Sequence, residues 1–279
     1  MRSSDSTSGA PGAPGASGES AAPGVPVITW LGHASTVIDI AGVKVLTDPA
    51  LTTRVAHLRR HHEVDVAAIG RPDLVLISHL HMDHLHIPSL RLFGRAVPLV
   101  VPAGAGPLLR RRGFADVREA RAGETIDVGP LTVEVVPAVH SSRRGPHTRL
   151  RADAVGYVLR AGGVAVYFPG DTDLFAEMGS WAPVDVALLP IWGWGPDLGE
   201  GHLDPERAVE AAGLVEPRMV VPIHWGTFSP MGLRRGRPDW LDQPVHRFRS
   251  GLDRAGIADR LHVLTPGTSL AVPVNRAAP

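Results

Sequence analysis

Cysteine is absent from the chain. That excludes disulfides, thiolate metal ligands and a cysteine nucleophile. Neither sign of charge is in excess, since Lys+Arg and Asp+Glu both number 28, so no global basic field draws in nucleic acid. Lysine is almost missing, with Lys44 the single example, and arginine carries the rest of the positive charge. No apolar run approaches the ~20 residues of a membrane-spanning helix. Aromatic residues make up only 5%. No apolar stretch follows Arg2, so the start does not read as a secretory signal, and the expected location is the cytoplasm.

What the chain does have is apolar content and histidine. Hydrophobic residues form 44% of 279 residues, near the globular average and enough for one large layered domain. Residues 1–24, rich in Pro, Gly, Ser and Ala, have little to bury and read as a disordered tail. Residues 25–279 read as a single domain. The 14 histidines are unevenly spread.

Short β-prone runs follow one another from Val27. Val27 to Leu31 is a first strand. Thr36 to Ile40 and Val43 to Thr47 flank Ala41–Gly42, a two-residue hairpin signal. Leu74 to Ser78 is a continuous apolar run, the pattern of a strand buried on both faces. Leu99 to Val101, Leu131 to Pro137, Val155 to Arg160, Val164 to Phe168, Val186 to Pro190, Met219 to Ile223, Leu261 to Leu264 and Ser269 to Val272 complete the strands. Helices are expected over Pro107 to Arg112, stopped by Gly113, and over Pro205 to Leu214, with Asp204 as N-cap and Pro205 at the first helical position. A third is expected over Trp240 to Ala255, where Leu241, Val245, Phe248, Leu252 and Ala255 share a face. The order implies mixed sheets with outer helices.

The chemistry concentrates in Ser78-His79-Leu80-His81-Met82-Asp83-His84. Four possible ligands fall within six residues at the end of a buried strand. Residues two apart in an extended segment face one side, so His79 and His81 can converge on one ion. A turn at Met82 can offer Asp83 and His84 to a second. Imidazole and carboxylate suit zinc, manganese or iron. A solvated His-rich turn is the competing reading. Against it, His140, Asp171 and His224 each follow a predicted strand, where α/β architectures collect their sites.

The ordered pattern His-X-His-X-Asp-His, then His140, then Gly170-Asp171-Thr172, then His224, resembles the metallo-β-lactamase fold superfamily. The resemblance runs from about Val27 to Val272. Trp30-Leu31-Gly32-His33-Ala34-Ser35, His202-Leu203-Asp204-Pro205-Glu206-Arg207 and His224-Trp225-Gly226-Thr227-Phe228 are similar to the branch that holds N-acyl-phosphatidylethanolamine phospholipase D and ascorbate-6-phosphate lactonase-like proteins. The resemblance implies a four-layer αββα sandwich of two mixed β-sheets with outer helices. It implies two divalent metal ions, zinc first, manganese or iron also fitting. His79, His81 and His140 would hold one ion, Asp83, His84 and His224 the other, with Asp171 between them. Ions ~3.5–4 Å apart clamp the attacking and leaving oxygens of a hydrolysis.

The implied activity is metal-dependent hydrolysis of a phosphodiester, lactone or related ester, a small-molecule substrate. A non-haem iron oxidoreductase or a non-catalytic metal-binding module are the alternatives. Asp83 and His202 are the candidate catalytic groups, His202 lying just before a helix N-terminus where anions are favoured. Arg143, after His140, is suited to grip a phosphate or carboxylate. Trp192 and Trp194, set among glycines, are candidate pocket walls. His33 is expected to pack in the opening loop. The segment Pro146 to Asp153 carries no tryptophan where the phospholipase D relatives are aromatic-rich, which argues against lipid-like substrates.

Overall fold

A computed structural model describes residues 24–145, 148–232 and 236–274. The predicted tail, apart from Gly24, lies outside the described residues, as do Pro146, His147 and the Arg234–Arg235 pair. Sixteen strands occur among the described residues: β1 (Val27–Gly32), β2 (Ser35–Ile40), β3 (Val43–Thr47), β4 (Arg54–Val55), β5 (Leu58–Arg60), β6 (Leu74–Leu76), β7 (Leu99–Pro102), β8 (Val117–Ala120), β9 (Thr125–Val128), β10 (Leu131–Pro137), β11 (Val155–Ala161), β12 (Val164–Phe168), β13 (Val186–Pro190), β14 (Met219–Ile223), β15 (Phe228–Pro230) and β16 (Ser269–Ala271). The helices are α1 (Val66–Ile69), α2 (Ile87–Arg91), α3 (Gly106–Arg111), α4 (Pro205–Val215) and α5 (Gln243–Arg254).

The strands form a seven-stranded sheet, β16-β1-β2-β3-β6-β7-β8, and a six-stranded sheet, β14-β13-β12-β11-β10-β9. Both are mixed. In the first, β1, β2, β3 and β16 pair antiparallel while β3, β6, β7 and β8 run parallel. In the second, β9 to β12 are antiparallel and β12 to β14 parallel. A small third sheet, β15-β5-β4, was not foreshadowed by the sequence. Its strands are two or three residues long, too short for a periodic signal.

Alternation along the strands of the first sheet builds the layers. Ile38, Ile40, Val45, Leu74, Leu76 and Val100 point into the core shared with the second sheet. Val37, Leu46, Val75, Ile77, Leu99 and Val101 point the other way, onto α2 and α3 through Leu90 and Leu109. The far side of the second sheet is covered by Ala208, Ala211, Ala212 and Val215 of α4 and Val245, Phe248 and Leu252 of α5. Two mixed sheets with helices outside them agree with the expected architecture.

Three local expectations change. Leu261 to Leu264 is not a strand; only an isolated bridge joins Leu261 to Val220. The strand expected to reach Ser78 ends at Leu76, because the Ser78 N–H donates at 2.7 Å to the Asp48 carboxylate rather than to a neighbouring strand. Ala255 is exposed and caps α5, and Trp240 falls in a separate 3-10 turn before it. The cap of α4 is as expected, with the Asp204 carboxylate accepting the Arg207 N–H at 2.8 Å. No helix among the described residues is long and apolar enough to cross a membrane.

Candidate metal centre

The loops that leave β1, β3, β6, β10, β12 and β14 meet at one end of the sandwich, and each delivers a polar side chain there. His33 follows β1, Asp48 follows β3, His79 to His84 follow β6, His140 follows β10, Asp171 follows β12 and His224 follows β14. His33, Asp48 and His224 take positive φ values of 56°, 32° and 62°. Non-glycine residues rarely adopt this conformation and hold it only where the surroundings enforce it. Here the enforcement is visible. The His224 N–H donates to the His33 carbonyl at 2.9 Å, and the His33 N–H donates to Thr227 Oγ1 at 2.7 Å.

Among the described residues, four groups have their candidate ligand atoms within 4.8 Å of one another, and two of them are His79, His81 and His140, and His33, Asp83, His84 and His224. Asp171 stands between them. Its Oδ2 lies 3.2 Å from His84 Nε2 and 3.9 Å from His79 Nε2, and its Oδ1 lies 3.2 Å from His224 Nε2. His202 Nε2 approaches Asp171 Oδ2 at 3.5 Å from the more exposed side. The structure thus gathers all seven expected metal residues and His202 into one place.

The outward nitrogens of four of these rings are tied down. His140 Nδ1 donates to the Gly201 carbonyl at 2.6 Å, His224 Nδ1 to the Trp192 carbonyl at 2.7 Å, and His84 Nδ1 to Asp48 at 2.7 Å. His79 Nδ1 donates at 3.0 Å to Ser78 Oγ, whose own hydrogen goes to Asp48. A neutral imidazole that donates through Nδ1 presents a lone pair at Nε2. Yet His84 Nε2 faces His224 Nε2 at 3.1 Å, and His81 Nδ1 faces His79 Nε2 at 3.0 Å and His140 Nε2 at 3.1 Å. Lone pairs turned toward each other at this range repel unless a cation or proton sits among them. Fixing the outer ring nitrogen while leaving the inner one bare is how proteins prepare histidine for a metal, so this donor set fits divalent cations.

The electrostatics agree for His79, His140 and His224, while His84 favours its protonated form when no cation is present. Burial lowers His79 and His224 well below the ordinary imidazole pKa, and lowers His140 to about 4, which keeps them in the neutral form that metals bind. Burial also opposes charge on His84, but Asp171, Asp48 and Asp83 around it prevail and lift it well above its ordinary value. Asp83 is buried too, yet His84 and the hydrogen bond from His33 hold it far below the carboxylate range.

The structure corrects the expectation for His33. It is fully buried, donates to Asp83 Oδ2 at 3.0 Å and lies against the His224 ring at 3.9 Å. It belongs to the cluster and not merely to the packing of its loop. Asp48 was missed altogether, although in Thr47-Asp48-Pro49 it directly follows β3 as Asp171 follows β12 three residues on. Arg144, not Arg143, reaches the histidine loop, donating to the Leu80 carbonyl at 2.9 Å and the Leu85 carbonyl at 3.2 Å. Arg143 is exposed and its backbone bridges to Arg151. Trp192 serves His224 through its carbonyl, while its ring packs on the core under the Arg247 guanidinium, 5.8 Å from the ring centre. Trp194 packs on the small cluster of Ala50, Val55, Leu58 and Phe228, with the His57 ring 4.9 Å away. Among the described residues, no ring contact joins either tryptophan to the cluster histidines.

The β-lactamase superfamily domain profile matches residues 43–225. The chain belongs to the metallo-β-lactamase superfamily. The domain match and the relatives named as metal-dependent hydrolases place it among the metal-dependent hydrolases of that superfamily. It is 34% identical to a UPF0173 metal-dependent hydrolase of Methanopyrus kandleri, over 87% of this chain and 98% of that one. It is 33% identical to N-acyl-phosphatidylethanolamine-hydrolyzing phospholipase D 1 of Caenorhabditis elegans, over 73% of this chain but 64% of the longer enzyme. Igni18, a metallo hydrolase from Ignicoccus hospitalis, shares the fold with a TM-score of 0.69 at 25% identity, covering 89% of this chain and 99% of that one.

Proposed function

We propose that this superfamily hydrolase works through two divalent cations and cleaves a phosphodiester, lactone or related ester of a small molecule. The observation that carries the reading is the set of imidazole nitrogens facing one another at 3.0–3.1 Å while the outer nitrogens of His79, His84, His140 and His224 are tied away. His79, His81 and His140 are assigned to one ion. Asp83, His84 and His224 are assigned to the other, with Asp171 within reach of both groups. The N/O donor set suits zinc, and also manganese or iron.

Such ions, when bound, lower the pKa of water toward neutrality and polarise an ester oxygen. The chain's own residues do the rest. Asp48 and Ser78 hold the rings of His84 and His79 in place, and Asp83 is steadied by His33. His202 has both neighbouring carbonyls, Gly199 and Glu200, at 3.1 Å from Nδ1. Its Nε2 edge is therefore the one presented toward Asp171 and the open side. In the hydrolysis a water gives up a proton as its oxygen bonds to phosphorus or to the acyl carbon, the bond to the leaving oxygen breaks, and that oxygen takes up a proton. His202 Nε2 is placed to supply it. The relative that hydrolyses N-acyl-phosphatidylethanolamine as a phospholipase D supports the phosphodiester arm over the lactone.

The test is elemental mass spectrometry on protein purified without added metal, followed by turnover of bis(p-nitrophenyl) phosphate and a panel of lactones. About two equivalents of zinc or manganese with chelator-sensitive turnover is the expected result. Iron accompanied by oxygen uptake would replace hydrolysis with oxidation. No metal after reconstitution would overturn the reading.

A further inference from the structure

A second feature lies at the same end of the sandwich, beside the histidine cluster. Where β7 and β8 of the first sheet end and β10 of the second sheet ends, a cleft of about 590 Å³ opens between the sheets. Its floor is made of small side chains, among them Ala103, Ala120, Ala138 and Ala154. Its polar lining residues are Arg121, Arg151, Ser142 and Asp153. Ala138 and Ser142 stand two residues either side of His140, so the cleft and the cluster share a loop.

Some arginines of this chain are paired and others are left to solvent or a ligand. Arg110, Arg160, Arg207, Arg218, Arg237 and Arg247 each sit in an ion pair with a carboxylate. Arg144 is spent on backbone carbonyls. Among the described residues, the side chains of Arg121 and Arg151 have no hydrogen bond or ion pair, and Asp153 beside them forms no ion pair with either. Both arginines are exposed residues of the cleft lining, and two cationic side chains on one cleft favour an anion there. The walls themselves are held rigidly. The Glu119 carboxylate accepts the Gly104 N–H at 2.6 Å, and the Ala152 N–H donates to the Ser142 carbonyl at 2.9 Å.

We propose that this cleft is a binding site for a phosphate group, separate from the histidine cluster, with Arg121 and Arg151 as its two cationic arms and Ser142 as a hydroxyl donor. A guanidinium offers a planar fork of donors that matches phosphate oxygens in pairs. Two such forks favour a tetrahedral dianion over a carboxylate, whose two oxygens one arginine already satisfies. The single Asp153 leaves the lining net positive. The floor of alanines leaves room for the organic part that carries the phosphate.

The experiment is isothermal titration of inorganic phosphate into the full chain after chelator treatment, at low ionic strength. Removing metal takes the histidine cluster out of the measurement, so the result stands whether or not the two-cation reading holds. The expected outcome is saturable binding that weakens at least fivefold in R121Q/R151Q and falls with added salt. Ala122 is an exposed cleft residue, and A122E, which offers the arginines an internal carboxylate, should weaken binding in the same direction without altering either arginine. Acetate should bind at least fivefold more weakly than phosphate. Glycerol 1-phosphate in place of inorganic phosphate separates the two sources of the ligand: tighter binding assigns the cleft to a phosphorylated organic molecule, equal binding to the free ion. Equal phosphate affinity in wild type, R121Q/R151Q and A122E, or no binding in the wild type, overturns the proposal.

Discussion

Asp171 is the residue on which the cluster turns, because its two oxygens face His84, His224, His79 and His202 from the middle. Asp171→Ala should reduce bound metal and abolish turnover while circular dichroism stays close to wild type. Two retained metals with full activity would sink the assignment. His202→Ala should behave differently. Metal content should hold and kcat should fall ~10²–10⁴-fold, the range for a lost proton donor; loss of metal instead would make His202 a ligand. Asp48→Asn tests the residue that sequence reasoning passed over. It keeps the shape but weakens the grip on His84 Nδ1 and Ser78, and metal affinity in a chelator competition should drop ~10–100-fold. At this scale the letters disclosed the seven clustered residues because each follows a strand. They did not disclose Asp48 or the role of His33, since an acid or histidine after a strand looks the same whether it faces a site or a turn.

Elements place these residues, and two positions test how. Helix α4 begins where His202 ends its loop, and Asp204 is its cap. Asp204→Ala should cost ~0.5–2 kcal/mol in urea unfolding, as other cap losses do. No change in the denaturation midpoint would mean that the backbone N–H is satisfied another way. Gly170 adopts φ 63°, and a Cβ there would run into the Ser78 side chain. Ser78 in turn holds Asp48 and His79. Gly170→Ala should therefore lower both stability and metal content, whereas Gly129→Ala, with nothing within 4 Å of its Cβ, should leave metal content unchanged. Strands with long apolar or alternating runs, such as β10, β12, β13 and β14, were legible to the residue. The three strands of the small third sheet were not, because two or three residues carry no period, and Leu261 to Leu264 misled because an apolar run can pack with only a single bridge to a neighbouring strand.

For the whole molecule the histidine cluster is also a seam. It ties loops from both sheets together, and without cations its inward lone pairs and buried carboxylates are left to repel or to take up protons. A ligand that binds only the folded state adds RT ln(1 + [L]/Kd), about 4 kcal/mol at a thousandfold excess over Kd. Chelator treatment and dialysis should therefore lower Tm by several degrees in a differential scan, and two equivalents of zinc should restore it. An unchanged Tm would show that the sandwich holds this end closed without metal.

The sequence by itself determined the layered α/β class, the strand ends at which chemistry collects and the ligand types, because periodicity and local spacing are properties of a chain read a few residues at a time. The tertiary structure alone decided which nitrogens face inward, that Asp48, Ser78 and His33 support the cluster, that Trp192 offers a carbonyl rather than a ring, and that Arg121 and Arg151, thirty residues apart in the chain, share one cleft. Those are contacts between residues distant in sequence, and they exist only once two sheets have packed face to face.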